Sequence, residues 1–161
     1  MASNVFAKYD GVDGESKDAN HDKWIDVLSV DWGAHKPGGG STGQSRRRGN
    51  VVTEDMQLTV EFEKSTPKLQ EKMNMGEVIP KLEIEQTANY GGARETYLKY
   101  ELKNVQVTSI STNASGNDES PPTVTIGNNF EEYKITYTEF DDKGNKGGNA
   151  ETTFKIEPGT K

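Results

Sequence analysis

The sequence predicts a mainly-β fold: a bent antiparallel barrel or sandwich with one short flanking helix, Ser65–Met75. Three observations carry this. Apolar residues alternate with polar ones in stretch after stretch, as in Met56, Leu58, Val60 and Phe62 against Gln57, Thr59, Glu61 and Glu63. The alternation slips by one residue twice, near Val27–Leu28 and near Lys103–Asn104, as it does where a bulge bends a strand. Only one stretch carries helix punctuation at both ends.

In chain order, Val5–Tyr9 reads as a first strand, and the polar Asp10–Lys23 stretch connects it to the next. Ile25–Gly33 and Val51–Lys64 are two strands joined by the polar segment Ala34–Asn50, AHKPGGGSTGQSRRRGN. Loops longer than about 12–15 residues are mostly functional or disordered. This one, held between two strands, is expected to reach toward another molecule. In Ser65–Met75, Ser65 or Thr66 can cap, Pro67 suits the first turn and Gly76 follows the last. Leu69 and Met73 lie on one face of it, with Lys68, Glu71 and Lys72 exposed.

Pro80 ends that segment. Lys81–Ala88 is a strand, Asn89–Arg94 a turn, and Glu95–Ser109 a long strand with Leu98, Tyr100 and Leu102 on one face, then Val105 and Val107. Ile110–Pro122 reads as a loop. Thr123–Asn128 and Glu132–Phe140 are strands, and Asp141–Asn149 turns into a last strand, Ala150–Ile156. No repeat and no linker interrupts the 161 residues, so a single domain is expected, with an extended loop at about 34–50.

Composition narrows the function classes. Hydrophobic residues make up only 30% of the chain, which suits strands with one charged face, or burial completed by identical neighbours. A net charge of −7 argues against nucleic acid as the main partner. There is no cysteine, hence no disulfide or thiolate chemistry. The N-terminus lacks the apolar core of a signal peptide, and no apolar run matches a membrane helix, so membrane insertion is not expected.

Chemical motifs are incomplete. The segment GGGSTGQS approaches a phosphate-binding loop, but Gln44 stands where the lysine belongs, and a flexible glycine loop explains the residues. Asp18, Asn20 and Asp22 resemble the start of a calcium loop, yet Lys23 and Ser29 occupy the positions of its glycine and glutamate, so a solvated acidic turn is expected. His21 and His35 are the only histidines, each read as a surface or hydrogen-bonded residue. Glu131–Glu132 and Asp141–Asp142 carry no further mark of acid–base work, and no nucleophile elbow is present. Nothing argues for catalysis, a metal or a cofactor. Arg46, Arg47 and Arg48 form the only basic run. Either they are a solvated tip, or they bond an acidic protein surface, which another copy of this chain could supply.

Several segments together resemble the haemolysin-coregulated protein family. They are Gly14-Glu15-Ser16, His21, Ile25-Asp26-Val27-Leu28-Ser29, Trp32-Gly33 and Lys64-Ser65-Thr66-Pro67, followed more loosely by Leu98–Val107, Ser109–Ser111 and Thr123–Tyr137. Val30 replaces a second tryptophan of many relatives, Thr138-Glu139-Phe140 replaces a common Pro-Gln ending, and Gly127–Asn129 is slightly longer. The resemblance implies a bent β-barrel assembled as a homo-hexamer. Rings would stack into the hollow tube of a bacterial type VI secretion system. Effector proteins would ride in the lumen, and spike, baseplate and contractile sheath proteins would be further partners. The subunit would assemble in the bacterial cytoplasm and be secreted without a cleaved signal peptide. With the chain ending at Lys161, no appended toxin domain is expected. The resemblance also assigns Ala34–Asn50 to inter-subunit or inter-ring contact, through Lys36, Pro37, Gly38, Gly39, Gly40, Arg46, Arg47 and Arg48. The rival reading is a monomeric β-sandwich binding module, holding for example carbohydrate against Trp24 or Trp32.

Overall fold

A computed structural model of the chain describes residues 4–36 and 51–156. Among these, the elements are β1 (Val5–Tyr9), β2 (Ile25–Asp31), β3 (Ala34–His35), β4 (Val52–Thr53), β5 (Met56–Glu61), α1 (Ser65–Met75), β6 (Ile79–Tyr90), β7 (Ala93–Asn113), β8 (Thr123–Asn129), β9 (Glu132–Phe140) and β10 (Lys146–Lys155). Six strands close on themselves in the order β7, β6, β1, β2, β5, β8 and back to β7. All pairings are antiparallel. β9 and β10 extend the sheet from β7 as a wing outside the closed barrel.

Closure follows from the bulges. Register shifts between Val27 and Ser29 where β2 meets β5, and between Val107 and Ser109 where β7 meets β8. Asn104 takes a left-handed φ of 53° at the slip seen in the sequence. Below it β7 pairs with β9, from Leu98 to Lys103; above it β7 pairs with β8, from Gln106 to Asn113. One long strand thus serves both barrel and wing. The hairpin between β6 and β7 turns on Gly91 and Gly92, both at positive φ, as a two-residue turn of this kind requires.

The barrel is filled by Tyr9, Ile25, Val27, Met56, Leu58, Val60, Leu82, Ile84, Leu102, Val107, Val124 and Ile126, with Leu69 of α1 packed against the same cluster. One polar pair sits inside. The Tyr9 hydroxyl donates to Asn128 Oδ1 at 2.7 Å, and Asn128 Nδ2 donates to the Met56 carbonyl at 3.0 Å. Burial pushes the Tyr9 hydroxyl well above the usual phenol range.

Several expectations are corrected. Val51–Lys64 is not one strand but β4 and β5, and Phe62 is 42% exposed because β5 ends at Glu61. Ile25–Gly33 stops at Asp31, and Leu28, at the bulge, is 50% exposed. Ala34 and His35, expected in the loop, are strand and pair with Thr53 and Val52. Lys64 is the N-cap of α1, and no side chain caps it; Ser65 and Thr66 are buried in the first turn instead. Lys72 is only partly exposed, in an ion pair with Glu77. Pro80 lies inside β6 rather than before it. The turn at 89–94 shrinks to its two glycines, Ile110–Asn113 continues β7, and β10 begins at Lys146.

Candidate assembly surface

Three local structures stand out: a stitched loop, a ribbon and the open wing. The loop runs from Asp10 to Trp24. Gly14 N–H donates to the Lys23 carbonyl and Ser16 N–H to the Trp24 carbonyl. A Cβ on Gly14 would lie 2.4 Å from the Trp24 carbonyl oxygen, so only glycine fits there. Glu15 and Glu63 then exchange bonds across the gap to α1. Glu15 N–H donates to Glu63 Oε2 at 3.0 Å, and Lys64 N–H donates to Glu15 Oε2 at 2.7 Å. Burial raises the Glu63 carboxyl above its ordinary range, despite the hydroxyl of Ser65 that donates to it.

His21 is the second stitch. It is buried at 4% exposure, its Nδ1 lies 2.7 Å from Asp18 Oδ2, and its Nε2 lies 2.8 Å from Glu85 Oε1 on β6. Its ring stacks on Phe6 and meets Trp24 edge-on. The hydrogen bond with His21 holds the Asp18 carboxyl below the usual range. Asp18 also accepts from the Asn20 N–H. The acidic turn that resembles a calcium loop therefore turns its carboxylate inward to a histidine. These stitches account for the spacing of Gly14-Glu15-Ser16, His21 and Lys64-Ser65-Thr66: they are structural. Sequence reasoning singled out the residues but missed the Glu15–Glu63 exchange, because its partners are 48 residues apart with no periodic signal between them.

The ribbon is β3 with β4. Trp32 Nε1 donates to the Glu54 carbonyl at 2.9 Å, and Glu54 N–H donates to the Gly33 carbonyl, fixing the ribbon's base. The Trp32 ring packs on Tyr133, Tyr100 and Phe130. Beside it lies a small cleft of about 140 Å³ lined by Val5, Val30, Trp32, Ile84, Gln86 and Tyr100. Trp32 is thus a brace at the barrel mouth, and Trp24 packs on His21. Of the expected contact residues, Lys36 is exposed just after β3. Pro37, Gly38, Gly39, Gly40, Arg46, Arg47 and Arg48 lie outside the described residues.

The wing joins β10, β9 and the lower halves of β7 and β6 into a four-stranded sheet with two unlike faces. Cross-strand pairing sets Leu98, Tyr100 and Leu102 beside Tyr137, Ile135 and Tyr133, and these beside Ala150, Thr152 and Phe154. That face is apolar and only half-buried along much of its length. The opposite face is a ladder of charges. Lys99 bonds Glu83 and Glu85, Lys81 reaches Glu83 and Glu101, Lys103 reaches Glu132, and Lys134 reaches Glu151. The outer edge of β10 pairs with no strand among the described residues.

No described helix is long and apolar enough to cross a membrane. What the geometry offers is surface: a ribbon, a two-faced sheet and an open strand edge.

Comparison with known proteins fits this picture. The family model described as "Type VI secretion system effector, Hcp" matches residues 6–137. The protein hcp1 of Pseudomonas aeruginosa is 33% identical over 138 residues, which cover 85% of this chain and 84% of that one. Among solved structures, a type six secretion system protein superposes with a TM-score of 0.87 at 27% identity, over 96% of each chain. Hcp1 of Salmonella typhimurium superposes with a TM-score of 0.76 at 26% identity, over 97% of this chain and 96% of that one. This chain therefore belongs to the Hcp family of type VI secretion system proteins.

Proposed function

We propose that the chain is the structural subunit of the secretion tube: six copies close a ring, rings stack, and effector proteins travel in the lumen. The observation that carries this is the wing. Natural proteins blunt or cover exposed strand edges, yet among the described residues the ten-residue β10 has no partner strand on its outer edge, beside a half-exposed apolar face. A neighbouring copy would cover both. The charge ladder on the other face suits a water-filled channel, since its lysines and glutamates already neutralise one another.

In this reading the ribbon carries the arm that contains Lys36, Pro37, Gly38, Gly39, Gly40, Arg46, Arg47 and Arg48 toward an adjacent subunit or ring. Sheath, baseplate and spike proteins meet the assembled tube, and export proceeds without removal of a signal segment. Mass measurement of the native protein at micromolar concentration, with negative-stain microscopy, tests the reading. A mass of six subunits and ring-shaped particles are expected. A monomer that persists as concentration rises would overturn it in favour of a solitary binding module.

A further inference from the structure

Of the two histidines, His35 is exposed on β3, whereas His21 is buried with an acid at each ring nitrogen. Nδ1 lies 2.7 Å from Asp18 Oδ2 and Nε2 lies 2.8 Å from Glu85 Oε1. A carboxylate only accepts, so both bonds exist together only when both nitrogens carry hydrogen. The ring also lies flat on Phe6, with centroids 4.2 Å apart, which sets its charge on an aromatic face. Every neighbouring element contributes to the surroundings. Asp18 is on the loop itself and Glu85 on β6; β7 brings Lys99, 3.4 Å from Glu85 Oε2, and Arg94, whose charge acts on Asp18. β1 brings Phe6, with its Lys8 turned to Asp13, and Trp24 closes the ring's edge. Glu95 of β7 and Lys146 of β10 line the same groove, of about 480 Å³.

The two bonds do different work. His21–Asp18 closes a turn within the loop, whereas His21–Glu85 spans 64 residues of sequence. Among the described residues it is the one hydrogen bond that joins residues 17–22 to a strand. The acids also differ in what they keep without the histidine. Glu85 accepts from the Thr96 hydroxyl at 3.1 Å and pairs with Lys99, both on β7. The Asp18 carboxylate otherwise accepts only from the Asn20 N–H among the described residues. A ring left with one proton therefore holds it on Nδ1 for Asp18. It then turns the Nε2 lone pair on Glu85, where two acceptors face each other and repel.

We propose that the proton on His21 Nε2 is a latch: with it, residues 17–22 dock on β6 and the ring covers Phe6; without it, they leave β6. Phe6, only 2% exposed yet outside the barrel's core cluster, is then uncovered. The base of the loop stays fixed, because the bonds of Gly14, Glu15 and Ser16 do not pass through His21. Docking is complete on the acid side of the His21 titration and is lost as pH rises through it. One subunit carries the whole latch, so the inference does not depend on the tube reading.

Hydrogen exchange of the full chain, read by mass spectrometry across a pH series, tests this. Slow exchange at the imidazole carbon between the two nitrogens titrates His21 and His35 in separate peptides. Amide exchange over residues 17–24, taken relative to that of β5 at each pH, reads the loop. In the wild type this ratio is expected to rise at least about tenfold as His21 loses its proton, as for one charge-assisted hydrogen bond. Glu85→Gln keeps an acceptor for the charged ring and adds an amide donor for the neutral one. Its loop is expected to stay docked through the same titration. A wild-type loop that stays closed while His21 titrates, or opens at another pH, overturns the latch. A Glu85→Gln loop that opens as the wild type does overturns it equally. Thermal melting shows whether Glu85→Gln is folded; if it is not, the wild-type coincidence decides alone.

Discussion

The barrel and the wing are built from the same long strand and end in opposite conditions. Inside the barrel, Met56, Leu58, Val60, Leu82, Leu102 and Ile126 are fully buried, and the Tyr9–Asn128 pair satisfies its own polar groups. In the wing, almost all of β10 is exposed, and Tyr137 is 47% exposed on the apolar face. The barrel is complete within one chain. The wing is regularly paired, but among the described residues the outer edge of β10 has no partner strand and the apolar face is half-exposed. In the proposed tube, stability and assembly fall to different parts of one sheet, and substitutions should separate them.

The largest effect is expected where the barrel closes over α1. Leu69→Ala should cost about 2–5 kcal/mol of unfolding free energy, as large-to-small core changes do, measured by denaturant unfolding. A cost near that of a surface change would dissolve the distinction. At the barrel's rim, Gly14→Ala drives a methyl into the Trp24 carbonyl and should cost about 1–3 kcal/mol. In the wing, Ile135→Ala removes a half-buried side chain and should cost about 1 kcal/mol in the subunit, while lowering the mass of the native assembly. If it leaves that mass unchanged, the apolar face does not serve association.

The stitched loop gives a subtler comparison through pH. Asp18 is held below its ordinary range, chiefly by its bond with His21. Its contribution is present above the unfolded carboxyl value and lost as pH falls through the lower folded one. Glu63 is raised, chiefly by burial, so it favours the folded state at low pH and loses that advantage as pH rises through its folded value. The two oppose each other. Melting temperature followed from about pH 3 to 6, around the carboxyl range, should fall less on acidification in Asp18→Asn and more in Glu63→Gln. Identical slopes in both variants would contradict the assignment. Smallest of all, Lys134→Ala on the charge ladder should change stability by no more than about 0.5 kcal/mol.

Much of the barrel was legible in the sequence because its signal is local. Alternation marked the inward residues of β5, the two phase slips marked real bends at Val27–Ser29 and Asn104, and Gly76 marked the end of α1 in a left-handed conformation. The errors fall where pairing partners decide. Ile110–Asn113 looks like loop because Ser, Thr and Asn dominate it, but β8 pairs with it and makes it strand. β10 starts with Lys146 and two glycines, and a strand with an exposed face needs no apolar alternation to announce itself. Phe62 continues the alternation of β5 in sequence, yet the chain has already left the sheet and its N–H bonds the Pro122 carbonyl. The candidate surface was legible only in part: the Lys36–Arg48 stretch is marked by composition, whereas the wing exists only once the strands are paired.

The position of β1 has a mechanical consequence. It lies between β2 and β6, and the chain enters it at Val5, level with Gln86. The chain leaves β10 at Lys155, level through β9 and β7 with Lys81, five residues away along β6 and in the opposite direction. A pull on the first and last strands therefore runs along the strands, and every cross-strand bond of β1 or β10 shares the load at once instead of opening one by one. A subunit loaded along this axis resists as a row of bonds in shear, the geometry in which hydrogen bonds that are individually weak yield only together.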